Sequence, residues 1–256
     1  MDLIDVREIR VPRTREQLVF GEGDRPLAGG TWLYSEPQPG TTGLVDLTEL
    51  GWNTIEETDA GLTVGATATI ATLARHPHPL FAQCANSLLA SFKIWNVATV
   101  GGNIALALPA GPMTSLGAAL DATAVIWSAT AERRVAVSEF VLGVQSTVLL
   151  PGEVLRAIEF PRAALEARHG FRRISLSPLG RTGTLVTAVL GDEAVVTVTG
   201  GTTRPHVLRF DGLPSASALA AAVDDIDDWY DDAHGSPDWR QAMSRRFALE
   251  LLEELS

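Results

Sequence analysis

The chain has 256 residues, 46% of them hydrophobic and 20% charged, and its 20 Lys+Arg against 31 Asp+Glu give a formal net charge of -11. That is the composition of a globular protein, and it offers no basic field to offset the phosphates of a nucleic acid or an anionic membrane. The one cysteine, Cys84, excludes an internal disulfide and alone holds neither an iron–sulfur cluster nor a structural zinc.

The first block, 1–50, reads as β-rich. Asp5 to Val11 is a short strand-like piece, Arg13 to Phe20 a helical turn, and Pro26-Leu27-Ala28 leads into a glycine pair. Gly21-Glu22-Gly23 lacks a third glycine and a following long helix, so it is not a Rossmann fingerprint. Trp32-Leu33-Tyr34 opens an amphipathic segment and Gly43 to Leu47 reads as a strand. In the second block, 51–162, Gly61 to Ala66 is a strand and Thr69 to His76 a helix, with Thr67 or Thr69 as N-cap. Pro79 to Phe92 predicts a further helix, apolar at Leu80, Phe81, Cys84, Leu88 and Leu89. Met113 to Leu120 suits a buried helix. Ala124 to Ser128 and Arg133 to Val137 form a strand pair, and Val154 to Phe160 is a strand closed by Pro161. The third block, 163–256, has strands at Phe171 to Ser177, Thr184 to Leu190 and Ala194 to Thr199, broken at Gly200-Gly201. Helices follow at Ser215 to Val223 and Trp239 to Leu255, the latter with Met243, Phe247, Leu251 and Leu252 at helical spacing. The acidic run Asp224 to Asp232 between them reads as a solvated loop or helix face.

Two stretches carry the chemistry. Leu27-Ala28-Gly29-Gly30-Thr31-Trp32-Leu33 and Val97-Ala98-Thr99-Val100-Gly101-Gly102-Asn103 share an apolar lead-in, a glycine pair and a polar exit. Glycine reaches φ > 0 without a Cβ clash, and adjacent glycines leave backbone N–H groups uncovered for an anion. Two such turns suit the two phosphates of a dinucleotide; the plainer alternative is loop punctuation. The chain has no G-x-S-x-G, H-E-x-x-H or C-x-x-C, its carboxylates form no acid–base pair, and His76 and His78 flank a proline in a loop. A chain poor in catalytic side chains and rich in phosphate-cradling backbone lends its chemistry to a bound cofactor.

Ala28-Gly29-Gly30-Thr31-x-Leu33 and Ala98-Thr99-Val100-Gly101-Gly102-Asn103-Ile104 resemble the two flavin-binding signatures of the FAD (medium) subunit of molybdenum hydroxylases of the xanthine dehydrogenase and carbon monoxide dehydrogenase type. Gly65 to Thr69, Gly152-Glu153-Val154-Leu155-x-x-Ile158-x-x-Pro161, Phe171-Arg172-Arg173, Gly200 to Pro205 and the Trp239 to Arg246 stretch are similar to later marks of that family, in its order. The resemblance implies an α+β fold: a two-subdomain FAD-binding domain of the PCMH/vanillyl-alcohol-oxidase-like type (1–50 and 51–162) and a small sheet-plus-helices C-terminal domain (163–256). It implies FAD as cofactor. Along the pyrophosphate it places Ala28, Gly29, Gly30, Thr31 and Trp32, and along the phosphate and ribityl chain Thr99, Val100, Gly101, Gly102 and Asn103. Val154 and Leu155 come near the adenine and Arg172 near the flavin edge or phosphate. Leu27, Ala98 and Ala107 count among the cofactor-binding positions; no catalytic side chain and no metal ligand is expected. The implied role is electron transfer from [2Fe–2S] clusters on a small partner through FAD to an acceptor, with the molybdenum cofactor on a large partner, in a dimer of heterotrimers. A stand-alone FAD oxidoreductase and a flavin-less assembly module are the alternatives. Two positions depart from the family: Pro112 replaces an acidic residue, for which Thr114 or Ser115 are substitutes, and Trp32 replaces a small polar one, with packing rather than stacking as its expected role. No apolar run approaches the roughly 18 residues of a membrane span, and Met1-Asp2-Leu3-Ile4-Asp5-Val6 has neither a basic nor an apolar leader region; the expected location is the cytoplasm.

Overall fold

A computed structural model describes residues 3–256; Met1 and Asp2, with which the expected first subdomain begins, lie outside them. Strands β1 (Glu8–Arg10), β2 (Asp24–Leu27) and β3 (Gly43–Asp46) form a parallel sheet in the order β1-β3-β2, with a 3-10 turn at Arg15–Gln17 between the first two. Trp32 to Tyr34, expected to open an amphipathic segment, is a run of turns in which the Tyr34 N–H donates to Gly30 O at 2.9 Å.

The middle of the chain supplies β4 (Ile55–Thr58), β5 (Gly61–Gly65), α1 (Ile70–Leu73), α2 (Pro79–Ala85), α3 (Phe92–Trp95), α4 (Val100–Ala105) and α5 (Pro112–Ala119). It continues with β6 (Thr123–Trp127), β7 (Glu132–Ala136), α6 (Val137–Phe140), the short ribbon β8 (Val141–Gly143) and β9 (Ser146–Thr147), and β10 (Val154–Pro161). An antiparallel sheet of order β4-β5-β10-β6-β7 results. The periodicity predicts one helix over 79–92, but α2 stops at Ala85. Asn86 Nδ2 donates to Ala82 O at 2.8 Å and Ser87 Oγ to Gln83 O at 3.1 Å, so side chains take up the last carbonyls and end the helix there. Every residue of α5 is buried, which explains its unbroken run of small and apolar side chains.

After α7 (Arg162–Glu166) come β11 (Arg168–Ile174), β12 (Thr184–Leu190), β13 (Ala194–Thr199) and β14 (His206–Phe210), an antiparallel sheet in sequence order, then α8 (Ala216–Asp224) and α9 (Pro237–Leu255). Side chains alternate across a strand. Val186, Ala188, Val196 and Val198 share a core with Leu219, Val223, Phe247 and Leu251 of α8 and α9. Val189, from the opposite face, joins the central core of Val64, Phe81, Ile104 and Leu116, and Ser115 Oγ of α5 meets Thr199 Oγ1 at 2.7 Å. Both faces of β12 are therefore covered, so it reads as an almost continuous apolar run. The acidic run is not merely solvated. Asp228 accepts from Thr203 Oγ1 and pairs with His206 Nε2, each at 2.5 Å, and Asp232 pairs with the buried Arg240 at 2.5 Å.

Candidate functional site

The two glycine stretches meet. A Cβ on Gly29 would stand 2.1 Å from Val97 O and 2.8 Å from Val97 C, so only glycine lets the loop after β2 lie against the chain entering α4. Gly30 has φ +67, the left-handed region that favours glycine, and a Cβ there would also strike the Tyr34 ring at 2.6 Å.

The second stretch is not the open turn that the sequence suggests. Gly101 and Gly102 lie in the first turn of α4, capped by Thr99, whose Oγ1 accepts from the Gly102 N–H at 3.1 Å. The Val100 and Gly101 N–H groups donate to Ala68 O and Ala66 O, both at 2.9 Å. Gly101 is required by close packing, since a Cβ would stand 2.5 Å from Ala66 Cβ. These amides are committed within the protein. The first stretch is the reverse case. Among the described residues, the amides of Gly29, Gly30, Thr31 and Trp32 donate to no protein acceptor. A run of unpaired backbone N–H groups in a turn is an anion-binding nest.

That nest opens on a cleft of about 750 Å³, within the roughly 300–1,000 Å³ of ligand sites. Of the expected positions, Leu27, Ala28, Gly29, Gly30, Thr31, Trp32, Ala98, Thr99, Gly101, Gly102, Asn103, Val154 and Leu155 line it. Three do not. Val100 is buried as the first residue of α4. Ala107 is wholly buried at φ +50, and its carbonyl accepts the N–H of cleft-lining Gln145 at 2.8 Å. Arg172 is directed to α9, where its guanidinium meets Glu250 at 3.3 Å and Glu254 at 2.6 Å; those two carboxylates take up the cation. Nor do Pro112, Thr114 or Ser115 reach the cleft: Pro112 starts α5, and Ser115 is spent on Thr199 and Gly111 O.

Sequence reasoning missed other lining residues, among them Arg25, Gln38, Thr67, Leu88, Ile94, Glu153 and Arg181. Thr67 and Glu153 stand inside stretches that the resemblance singles out; Arg181 and Ile94 carry no local signal. Thr67 is 6% exposed and its Oγ1 has no hydrogen-bond partner. Glu153 accepts from Arg133 at 2.8 and 2.6 Å and from the Leu150 N–H at 2.8 Å. The Arg133 hydrogen bonds hold its carboxyl below the usual range, so the charge on this wall is already balanced. Asn103 Oδ1 accepts from the Met113 N–H at 3.0 Å, tying α4 to the start of α5, and its NH₂ has no acceptor among the described residues.

A mixed helix–sheet chain with a run of free amides on the wall of a largely apolar cleft suits a binder of an anionic cofactor. The free amides, the orphaned Thr67 hydroxyl and the glycine-only loop contact all fit a dinucleotide carrying a diphosphate. Residues 13–163, more than half the chain, match the family described as the FAD binding domain in molybdopterin dehydrogenase. The chain belongs to that family, and FAD is its cofactor. Solved structures share the fold over nearly the whole length. Quinoline 2-oxidoreductase from Pseudomonas putida 86 superposes with a TM-score of 0.82 at 23% identity, covering 96% of this chain and 95% of that one. Reconstituted CO dehydrogenase from Oligotropha carboxidovorans gives a TM-score of 0.85 at 23% identity, over 96% of each chain. Carbon monoxide dehydrogenase from Hydrogenophaga pseudoflava, lacking the Mo-pyranopterin moiety of its cofactor, gives 0.83 at 21%, over 97% of this chain and 96% of that one. No curated protein sequence matches the chain.

Proposed function

We propose that this chain is the FAD-carrying electron-transfer subunit of a molybdenum hydroxylase-type complex. The observation that carries the reading is the meeting of the two glycine stretches at one cleft, with four unpaired amides at Gly29 to Trp32. In this reading those amides hold the diphosphate, a charge-assisted arrangement that needs no side-chain cation. Thr67, Gly102 and Asn103 line the path of the ribityl chain, and Val154 and Leu155 lie against the adenine. Bound FAD would supply the redox chemistry, between an electron donor and an acceptor; the residues around it would position the ring, exclude water and set its potential.

The donor in this proposal is a small partner bearing [2Fe–2S] clusters, and the molybdenum cofactor sits on a large partner. Such clusters need several thiolates, and the single thiol here, Cys84, is fully buried with its pKa pushed up to about 12 by that burial. The division into units at 1–50, 51–162 and 163–256, a cytoplasmic location and a dimer of heterotrimers belong to the same proposal. The test is affinity purification of the full chain from its own cells, with the absorbance spectrum of what comes with it. A complex showing flavin together with iron–sulfur bands and molybdenum is expected. A chain that takes up FAD but turns over a substrate alone would overturn the subunit role.

A further inference from the structure

We propose that Arg181 is the cation that stabilises the reduced flavin, a role that rests on the FAD reading above. The cleft wall differs along its course. Beside the nest it carries Arg25, which donates to Thr41 Oγ1 at 3.3 Å. Elsewhere it is formed by Ser87, Leu88, Leu89 and Ala90 after α2 and by Ile94 of α3, an apolar surface with Leu89 59% exposed. A flat tricyclic ring that must exchange electrons with another molecule needs an apolar wall open to the outside, and this is the stretch that provides one.

Arg181 enters that wall from the loop after β11, and the loop is pinned on both sides of it. The Arg173 guanidinium donates to Gly180 O and, at 2.8 Å, to Thr182 Oγ1, and Thr182 Oγ1 donates to Ser87 O at 3.1 Å. Arg181 itself has no hydrogen-bond or ion-pair partner among the described residues, whereas Arg172, the expected cation, is consumed by Glu250 and Glu254 and Glu153 by Arg133. A cleft-lining guanidinium left unpaired between two anchored residues is placed for a charge that the protein does not supply. FAD held in the cleft would supply one, because a flavin that takes up two electrons and one proton is an anion. Arg181 faces a neutral ring before reduction and an anion after it, so it favours the reduced form.

The experiment compares the full-length wild type with Arg181→Met, which keeps the aliphatic packing, and Arg181→Lys, which keeps the charge. Each is titrated with oxidised FAD and its bound-flavin midpoint potential is measured against reference dyes. Arg181→Met is expected to bind oxidised FAD within about threefold of wild type, yet lose about tenfold in preference for the reduced form, which is about 30 mV for a two-electron couple. Arg181→Lys recovers most of that. Normal FAD binding with an unchanged potential in Arg181→Met overturns the role of Arg181 alone. Failure of the wild type to bind FAD overturns the reading of the cleft, and this role with it.

Discussion

Replacing Gly29 with alanine adds one methyl group where the two glycine stretches touch. It would stand 2.1 Å from Val97 O, well inside the 3.4 Å at which ordinary contact begins, and the opposing atoms are backbone. The loops must therefore part by about 1 Å, the kind of overpacking that costs about 1–3 kcal/mol in a tight interior. The cost to ligand binding is separate. Hydrogen bonds to a charged group contribute about 1.5–3 kcal/mol each, so misaligning one of the four nest amides lowers FAD affinity ten- to a hundredfold. Gly143→Ala is the control: no atom lies within 4 Å of where its new methyl group would stand, and its φ is not left-handed. Urea unfolding of the flavin-free chain reports the first effect and titration followed by flavin fluorescence the second. If Gly29→Ala matched Gly143→Ala in both, the contact between the loops would not organise the cleft.

Gly101→Ala forces a methyl group to 2.5 Å from Ala66 Cβ and should destabilise by about 1–3 kcal/mol in the same unfolding assay. Thr99→Ala removes the side-chain cap of α4, an expected loss of about 0.5–2 kcal/mol by denaturant midpoint. Arg240→Met takes away the donor to Gly183 O, Gly200 O, Gly235 O and Asp232, and should cost about 3–5 kcal/mol because Gly183 and Gly200 stay buried and Asp232 loses its cation. His78 is held neutral, its pKa lowered from 6.5 to about 4 by burial and then by the neighbouring His169 and His76. The folded state thus binds fewer protons than the unfolded one, and stability present above pH 6.5 is lost as pH falls toward 4. The side chain is only partly buried, so the loss is about 1–2 kcal/mol rather than the full shift converted. His78→Asn, which can still cap α2, should flatten the acid limb of Tm against pH.

Much of this arrangement was legible in the chain, for identifiable reasons. β12 and β13 announce themselves because their burial is dense enough to override local noise, and α9 because Phe247 and Leu251 recur at helical spacing on its buried face. β4 escapes notice because Ile55 to Thr58 is mostly exposed and has no apolar pattern; it exists because β5 supplies its hydrogen bonds. β14 is likewise an edge strand, paired only with β13. The two glycine pairs line one cleft, but for different causes. Gly30 serves a left-handed turn, whereas Gly101 serves helix packing against Ala66, a contact that no local pattern encodes. The diversion of Arg172 away from the cleft is likewise long-range. It depends on where Glu250 and Glu254 fall on α9.

Hydrogen–deuterium exchange of the full chain, with and without FAD, addresses the cleft most directly. Amides of Gly29 to Trp32 have no acceptor among the described residues and should exchange fast until a diphosphate occupies them, while Val100 and Gly101, already bound to Ala68 and Ala66, should change little. Strong protection confined to 29–32 is the predicted outcome. Tight FAD binding that leaves those four amides exchanging freely would contradict it.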